Sequence, residues 1–136
     1  VDMMAALTPE IECTTMVETD SPAGGRQAVR RILASGFRPT AVMCVNDYMA
    51  IGVLRELRDQ GLSVPGDVSV TGFDNISLAE FTIPTLTTAH IPREKIGKLI
   101  FETLVPEQGR GTETSQEILI DPVLMVREST GPCKAN

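Results

Sequence analysis

Short runs of apolar or β-branched residues alternate with stretches of helical periodicity over the first half of the chain, and this alternation limits the possible folds most. Ile11 to Val17 is β-rich, of strand length, and ends in the polar turn Glu18 to Ser21. Ser21 then offers an N-cap with Pro22 at the first helical position, and Ala28, Val29, Ile32 and Leu33 make an apolar stripe that stops at Gly36. Thr40 to Val45 is a near-continuous apolar run, the pattern of a parallel strand covered on both faces by helices. Asn46-Asp47 opens a second helix, with Met49, Ala50, Val53, Leu54 and Leu57 recurring on one face until Gly61. The loop Leu62 to Gly66 leads to a third strand, Asp67 to Phe73, closed by Asp74-Asn75. The order predicts an α/β fold: an open parallel sheet with strands near 11–17, 40–45 and 67–73, flanked on both faces by helices that include 21–35 and 47–60.

The second half has a different rhythm. Thr85 to His90 reads as a strand, and Pro92 starts a helix whose apolar positions are Ile96, Leu99, Ile100 and Leu104. Pro106 to Ser115 is polar and reads as a loop, and Gln116 to Val126 as a β-rich strand that Pro122 makes an edge or bulged one. From Arg127 onward the composition is that of a frayed tail. Val1 to Leu7 looks like the end of a helix rather than a secretory signal, since no basic region precedes an apolar run.

Composition narrows the function classes. With 42% hydrophobic residues and no run of about 20 apolar ones, the 136-residue chain reads as one soluble domain. A net charge of −6 argues against nucleic-acid binding by the chain itself, and the basic cluster Arg26, Arg30, Arg31 and Arg38 reads as a solvated helix face. Cys13, Cys44 and Cys133 form no C-x-x-C pair, so they read as free thiols of a reducing cytosol and supply no metal site.

In open parallel sheets, ligands bind beyond the carboxyl ends of the strands. That rule selects three polar turns, Asp20-Ser21, Asn46-Asp47 and Asp74-Asn75, as neighbours on one edge. Two carboxylates and an amide facing one cleft suit a ligand with several hydroxyls. Each residue taken singly has another use, because Asp and Asn also cap helix N-termini. Catalysis has little support. His90 is the single histidine and has no nucleophile motif beside it, so it reads as a surface or hinge residue. Asp47 and Asp74 lack any feature that would raise one pKa for acid–base work. Gly24-Gly25 has neither the spacing nor the lysine of a phosphate loop and reads as a close-packing device or a softened first turn. No cofactor is expected.

Three linked segments carry a specific resemblance: Pro39 to Gly52 with its Val45-Asn46-Asp47 core, Gly61 to Asn75 ending in Gly72-Phe73-Asp74-Asn75, and Pro84-Thr85-Leu86-Thr87-Thr88. Together with Val126-Arg127-Glu128-Ser129-Thr130, they make the chain resemble the effector-binding domain of LacI/GalR-type bacterial transcription regulators from about Val1 to Thr130. The resemblance implies one lobe of a type I periplasmic-binding-protein-like fold. It assigns residues 1–90 to the C-terminal lobe, 91–114 to a crossover helix and loop that pack on an N-terminal lobe outside this chain, 115–130 to the return strand and 131–136 to a tail.

The same resemblance implies a cytoplasmic homodimer that senses a sugar or related polyol and reaches operator DNA through a headpiece absent from this chain. No membrane is involved. Asn46 and Asp74 fall on effector-bonding positions of the family. Asp20 falls where many members place a stacking aromatic, so ring stacking is not carried over. The arginine that often grips the effector would precede Val1. Tyr48 and Ile51 resemble dimer-contact positions. A solute-binding receptor with the same fold is the alternative. If the helix from Pro92 packs on an absent lobe, Ile96, Leu99, Ile100 and Leu104 have no cover of their own, which implies either a neighbouring piece of the regulator or a dimer exchanging 92–126.

Overall fold

The computed structural model describes residues 11–105 and 117–133. In chain order these form α1 (Pro22–Ala34), β1 (Ala41–Met43), α2 (Asp47–Asp59), β2 (Ser69–Asp74), a 3-10 turn (Ser77–Glu80), β3 (Thr87–His90), α3 (Arg93–Leu104) and β4 (Val123–Met125). The sheet order is β1-β2-β3-β4. β1, β2 and β3 are parallel, and β4 runs antiparallel to β3 at the edge, directly after Pro122.

Local chemistry sets the helix boundaries. Ser21 Oγ accepts the Gly24 N–H at 3.0 Å with Pro22 at the first position of α1, and Asn46 Oδ1 accepts the Met49 N–H at 2.9 Å to cap α2. Both helices end ahead of a glycine in the left-handed region, Gly36 and Gly61. The two helices cross closely because Gly25 lies against the Met49 carbonyl and Gly52 against the Pro22 carbonyl, where a β-carbon would collide. Gly24-Gly25 is thus a close-packing device. The core joins Val29 of α1 and Val53 and Leu57 of α2 to Val70 of β2 and to Leu86. No helix among the described residues is long and apolar enough to cross a membrane.

Several expectations change. Residues 11–17, expected as the first parallel strand, pair with no strand among the described residues and are largely exposed. Their β-branched composition favours an extended chain, but a strand also needs a partner's hydrogen bonds, and among the described residues β1 pairs with β2 alone. α1 and α2 share one face of the sheet with Val42 and Val70. On the opposite face Met43 is 78% exposed, and no helix covers it among the described residues. The strand expected over 116–126 shrinks to Val123–Met125.

The expected frayed tail is the largest change. Ser129 has no solvent exposure and inserts where β2 and β3 splay apart. Its Oγ donates to Val70 O at 2.6 Å and accepts from the Thr87 N–H at 2.8 Å. Its backbone adds bonds from the Val70 N–H and to Thr85 O. Beside it Glu128 accepts from the N–H and the hydroxyl of Thr85, which hold its carboxyl below the usual range. Polar composition cannot reveal such distant partners. The helix end proposed for Val1 to Leu7, the loop 106–115 and the last three residues of the tail lie outside the described residues.

The basic cluster is tied down rather than merely solvated. Arg26 Nε and Arg30 Nε donate to the two oxygens of Glu56 at 2.9 and 2.8 Å, Arg31 pairs with Glu18, and Arg38 donates to backbone carbonyls. The Glu56 side chain is almost wholly buried between α1 and α2. The Arg30 guanidinium, then the Gln60 amide and Arg26, hold its carboxyl down at about 2 despite burial. A folded-state value below the unfolded one means that Glu56 contributes fully above about pH 4.5 and loses its contribution as the pH falls toward 2. Urea midpoints measured from pH 7 to pH 2 therefore fall less steeply below pH 4.5 in Glu56→Gln than in the parent. At pH 7, Glu56→Ala costs about 1–3 kcal/mol.

Candidate functional site

Because β1, β2 and β3 are parallel, their carboxyl ends and the turns that follow them lie on one edge of the sheet. Asn46 leaves β1 there. Its Oδ1 is committed to capping α2, and its Nδ2 donates to Asp20 Oδ1, which brings two of the expected site residues together. Asp74, the last residue of β2, is one strand away and half exposed. It meets Arg93 at the start of α3, whose Nη2 lies 2.9 Å from Asp74 O and 3.6 Å from Oδ1.

The turn that presents Asp74 is conformationally costly. Asp74 and Asn75 are the two non-glycine residues with positive φ among those described, at 108° and 50°. Such backbone costs about 1–3 kcal/mol per residue and persists where the surroundings over-determine it. The Ile76 N–H donates to Asp47 Oδ2 at 2.8 Å, and the Asn75 N–H to Thr88 Oγ1 at 3.3 Å. Asn75 Nδ2 lies 3.2 Å from His90 Nδ1, so His90 serves the turn as an acceptor. Asn75 Oδ1 accepts from Arg127 Nη2 at 2.9 Å.

Asp47 is neither a helix cap nor a surface carboxylate. It has no solvent exposure, and its Oδ1 accepts from Thr88 Oγ1 at 2.6 Å while Oδ2 takes the Ile76 N–H. Gly72 makes this possible, since a β-carbon there would run into Asp47 Oδ1. Thr88, Arg93 and Arg127 were not expected at this edge. Their partners lie 19 to 52 residues away in the chain, beyond the reach of periodicity or motif spacing.

Two grooves carry exposed apolar side chains. Tyr48 is 50% exposed on α2, and Ile51 lies with Leu54, Phe81 and Ile83, and with Arg55, Arg58 and Thr82, along a shallow groove of about 240 Å³. α3 buries none of its residues. Ile96, Leu99, Ile100 and Leu104 line a second groove of about 330 Å³ with Ile118 and Ile120. Among the described residues no group of three or more His, Cys, Asp or Glu is placed to hold a metal ion. Cys13 and Cys44 are free thiols, and burial pushes the Cys44 thiol up to about 12.

The periplasmic binding protein-like domain family matches residues 2–130. The chain is 43% identical over 108 residues to the HTH-type transcriptional repressor PurR of Salmonella arizonae, covering 79% of this chain and 32% of that protein. It thus spans about a third of the length of the curated relatives it matches. Among solved structures, it is similar to a LacI family transcriptional regulator from Arthrobacter sp. FB24 in complex with lactose, at 30% identity and a TM-score of 0.75, covering 85% of this chain and 44% of that one. It is also similar to the lac repressor dimer bound to operator and the anti-inducer ONPF, at 32% identity and a TM-score of 0.74, covering 83% and 39%.

Asp47 anchors the edge without facing solvent, so its loss should act on stability. Asp47→Ala removes two hydrogen bonds to a buried charge and is expected to cost about 3 kcal/mol in denaturant unfolding. An unchanged midpoint would remove Asp47 as the anchor.

Proposed function

Since the chain belongs to the periplasmic binding protein-like domain family, as part of a LacI/GalR-type effector-binding domain, we propose that it is the effector-sensing and dimerising part of a DNA-binding transcriptional regulator. The observation that carries this reading is the Asp20–Asn46 pair at the exit of β1, one strand from Asp74 at the carboxyl end of β2. Asp20 and Asp74 bring carboxylates that accept hydrogen bonds, and Asn46 brings an amide that can also donate. An edge rich in acceptors selects a ligand rich in hydroxyl donors, and a sugar or related polyol is the class that fits. With Asp20 at the position of a stacking aromatic, recognition rests on hydrogen bonds rather than on a ring face.

The rest of the proposed regulator follows from the surfaces. The apolar side of α3 packs on a second lobe of the gene product, which closes the cleft over Asp20, Asn46 and Asp74. Operator DNA is contacted by a headpiece outside this acidic chain, and the regulator works in the cytoplasm as a sensor without catalysis or cofactor. Tyr48 and Ile51 of α2, with the exposed Phe81 and Ile83 next to Ile51 and with Arg55 and Arg58 in the same groove, are suited to a homodimer contact.

Calorimetric titration of the complete gene product with lactose, ribose and a purine base tests the ligand reading. Asn46→Ala and Asp74→Ala are each expected to weaken sugar binding at least tenfold, the loss of about one hydrogen bond to a charged or committed partner. Unchanged affinity in both variants would overturn it, and binding of the purine base alone would move the ligand class. Sedimentation velocity tests the dimer. Tyr48→Asp with Ile51→Asp is expected to shift the protein toward monomer at micromolar concentration, and an unchanged dimer mass would place the contact elsewhere.

A further inference from the structure

Arg127 reaches three separate parts of the fold. Its Nη1 donates to Leu86 O at 2.9 Å, and its Nη2 donates to Asn75 Oδ1 at 2.9 Å and to Glu80 Oε1 at 2.8 Å. Its own N–H donates to Thr87 Oγ1 at 2.9 Å. The side chain is 13% exposed, although the residue stands only two positions beyond β4 on the segment that returns from the α3 side. A guanidinium presents its donors in a fixed planar fork, so satisfying acceptors on three elements fixes their relative positions. One of those acceptors belongs to Asn75, whose left-handed backbone continues that of Asp74.

We infer that Arg127 is a positioning residue for the Asp74 carboxylate, holding the Asp74–Asn75 turn through the Asn75 side chain and linking that turn to the return segment. The contacts divide the work. Asp47 and Thr88 hold the backbone N–H groups of Ile76 and Asn75, and His90 takes one side-chain donor of Asn75. Arg127 is the partner of the Asn75 carbonyl and the one that arrives from beyond the β3–α3 crossing. A shift of residues 126–127 relative to β3 therefore pulls on Asn75 and re-aims Asp74, the neighbour that the proposed ligand would meet. The inference rests on the proposed role of Asp74 for its consequence in binding, and on geometry alone for the hold on the turn.

Amide hydrogen exchange of the 136-residue chain separates the two. In Arg127→Ala, exchange at Asn75 and Ile76 is expected to rise at least tenfold, while Val53 and Leu57 in the core of α2 change less than twofold. Arg127→Lys keeps the charge but not the fork, and is expected to fall between the parent and the alanine variant. No change at Asn75 and Ile76, or an equal rise at Val53 and Leu57, would overturn the inference, the latter showing a general structural role. Lactose and ribose titrations of the complete gene product supply the second arm. Weaker sugar binding in both Asp74→Ala and Arg127→Ala supports the inference. Loss in Asp74→Ala alone overturns the consequence for binding. Unchanged affinity in Asp74→Ala defeats the proposed site instead, and local exchange then decides whether Arg127 holds the turn.

Discussion

A single carboxylate with no access to water organises the edge at the carboxyl ends of the strands. Asp47 stands at the first position of α2, where unpaired backbone N–H groups and the helix dipole favour negative charge, and this offsets part of the cost of burying it. Its remaining demand is met by donors from two other places, the Thr88 hydroxyl of β3 and the Ile76 N–H beyond β2. Gly72 leaves the space through which the carboxylate reaches them. The start of α2, the exit of β2 and the body of β3 are thereby fixed to one another, and the strained Asp74–Asn75 turn hangs between two of these points.

Two other polar nodes complete the frame around the apolar core. Glu56 draws Arg26 and Arg30 across from α1, so the outer sides of the two helices are joined where their glycine contacts end. Ser129 replaces a missing stretch of ladder between β2 and β3, using both its side chain and its backbone. Among the described residues no buried side-chain nitrogen or oxygen lacks a partner. That accounting explains why so many buried polar residues are tolerated in a domain this small.

The parts legible in the sequence were those governed by local rules. Helical stripes, the Ser21 and Asn46 caps and the apolar strands β1 and β2 follow from period and capping chemistry, and the strand ends put Asn46 after β1 and Asp74 at the end of β2, whereas Asp20 meets Asn46 with no strand before it. What failed depended on partners far along the chain. Ile11 to Val17 has the composition of a strand but no neighbour to bond, whereas Arg127 to Thr130 looks like a tail yet bonds residues some 40 to 60 positions earlier. Asp47 resembled a cap because the Thr88 that explains its burial lies 41 residues on. Composition reports what a segment could do, and only tertiary contact decides whether it does.

The apolar side of α3 sets a further constraint. Leu104 is 75% exposed and Phe101 65%, with Ile100 and Val105 also open, and no side chain of the helix is buried. Burying four such groups is worth roughly 1.5–3 kcal/mol each, a sum comparable to the whole stability of a small domain. A surface of this kind is stable in water chiefly when something covers it. The chain reaches α3 through His90 to Arg93 and comes back into the sheet through β4 to Arg127, and both passages touch the Asp74–Asn75 turn, by Arg93 on Asp74 and by Arg127 on Asn75. The apolar surface of α3 and the polar edge are thus joined by hydrogen bonds at both crossings.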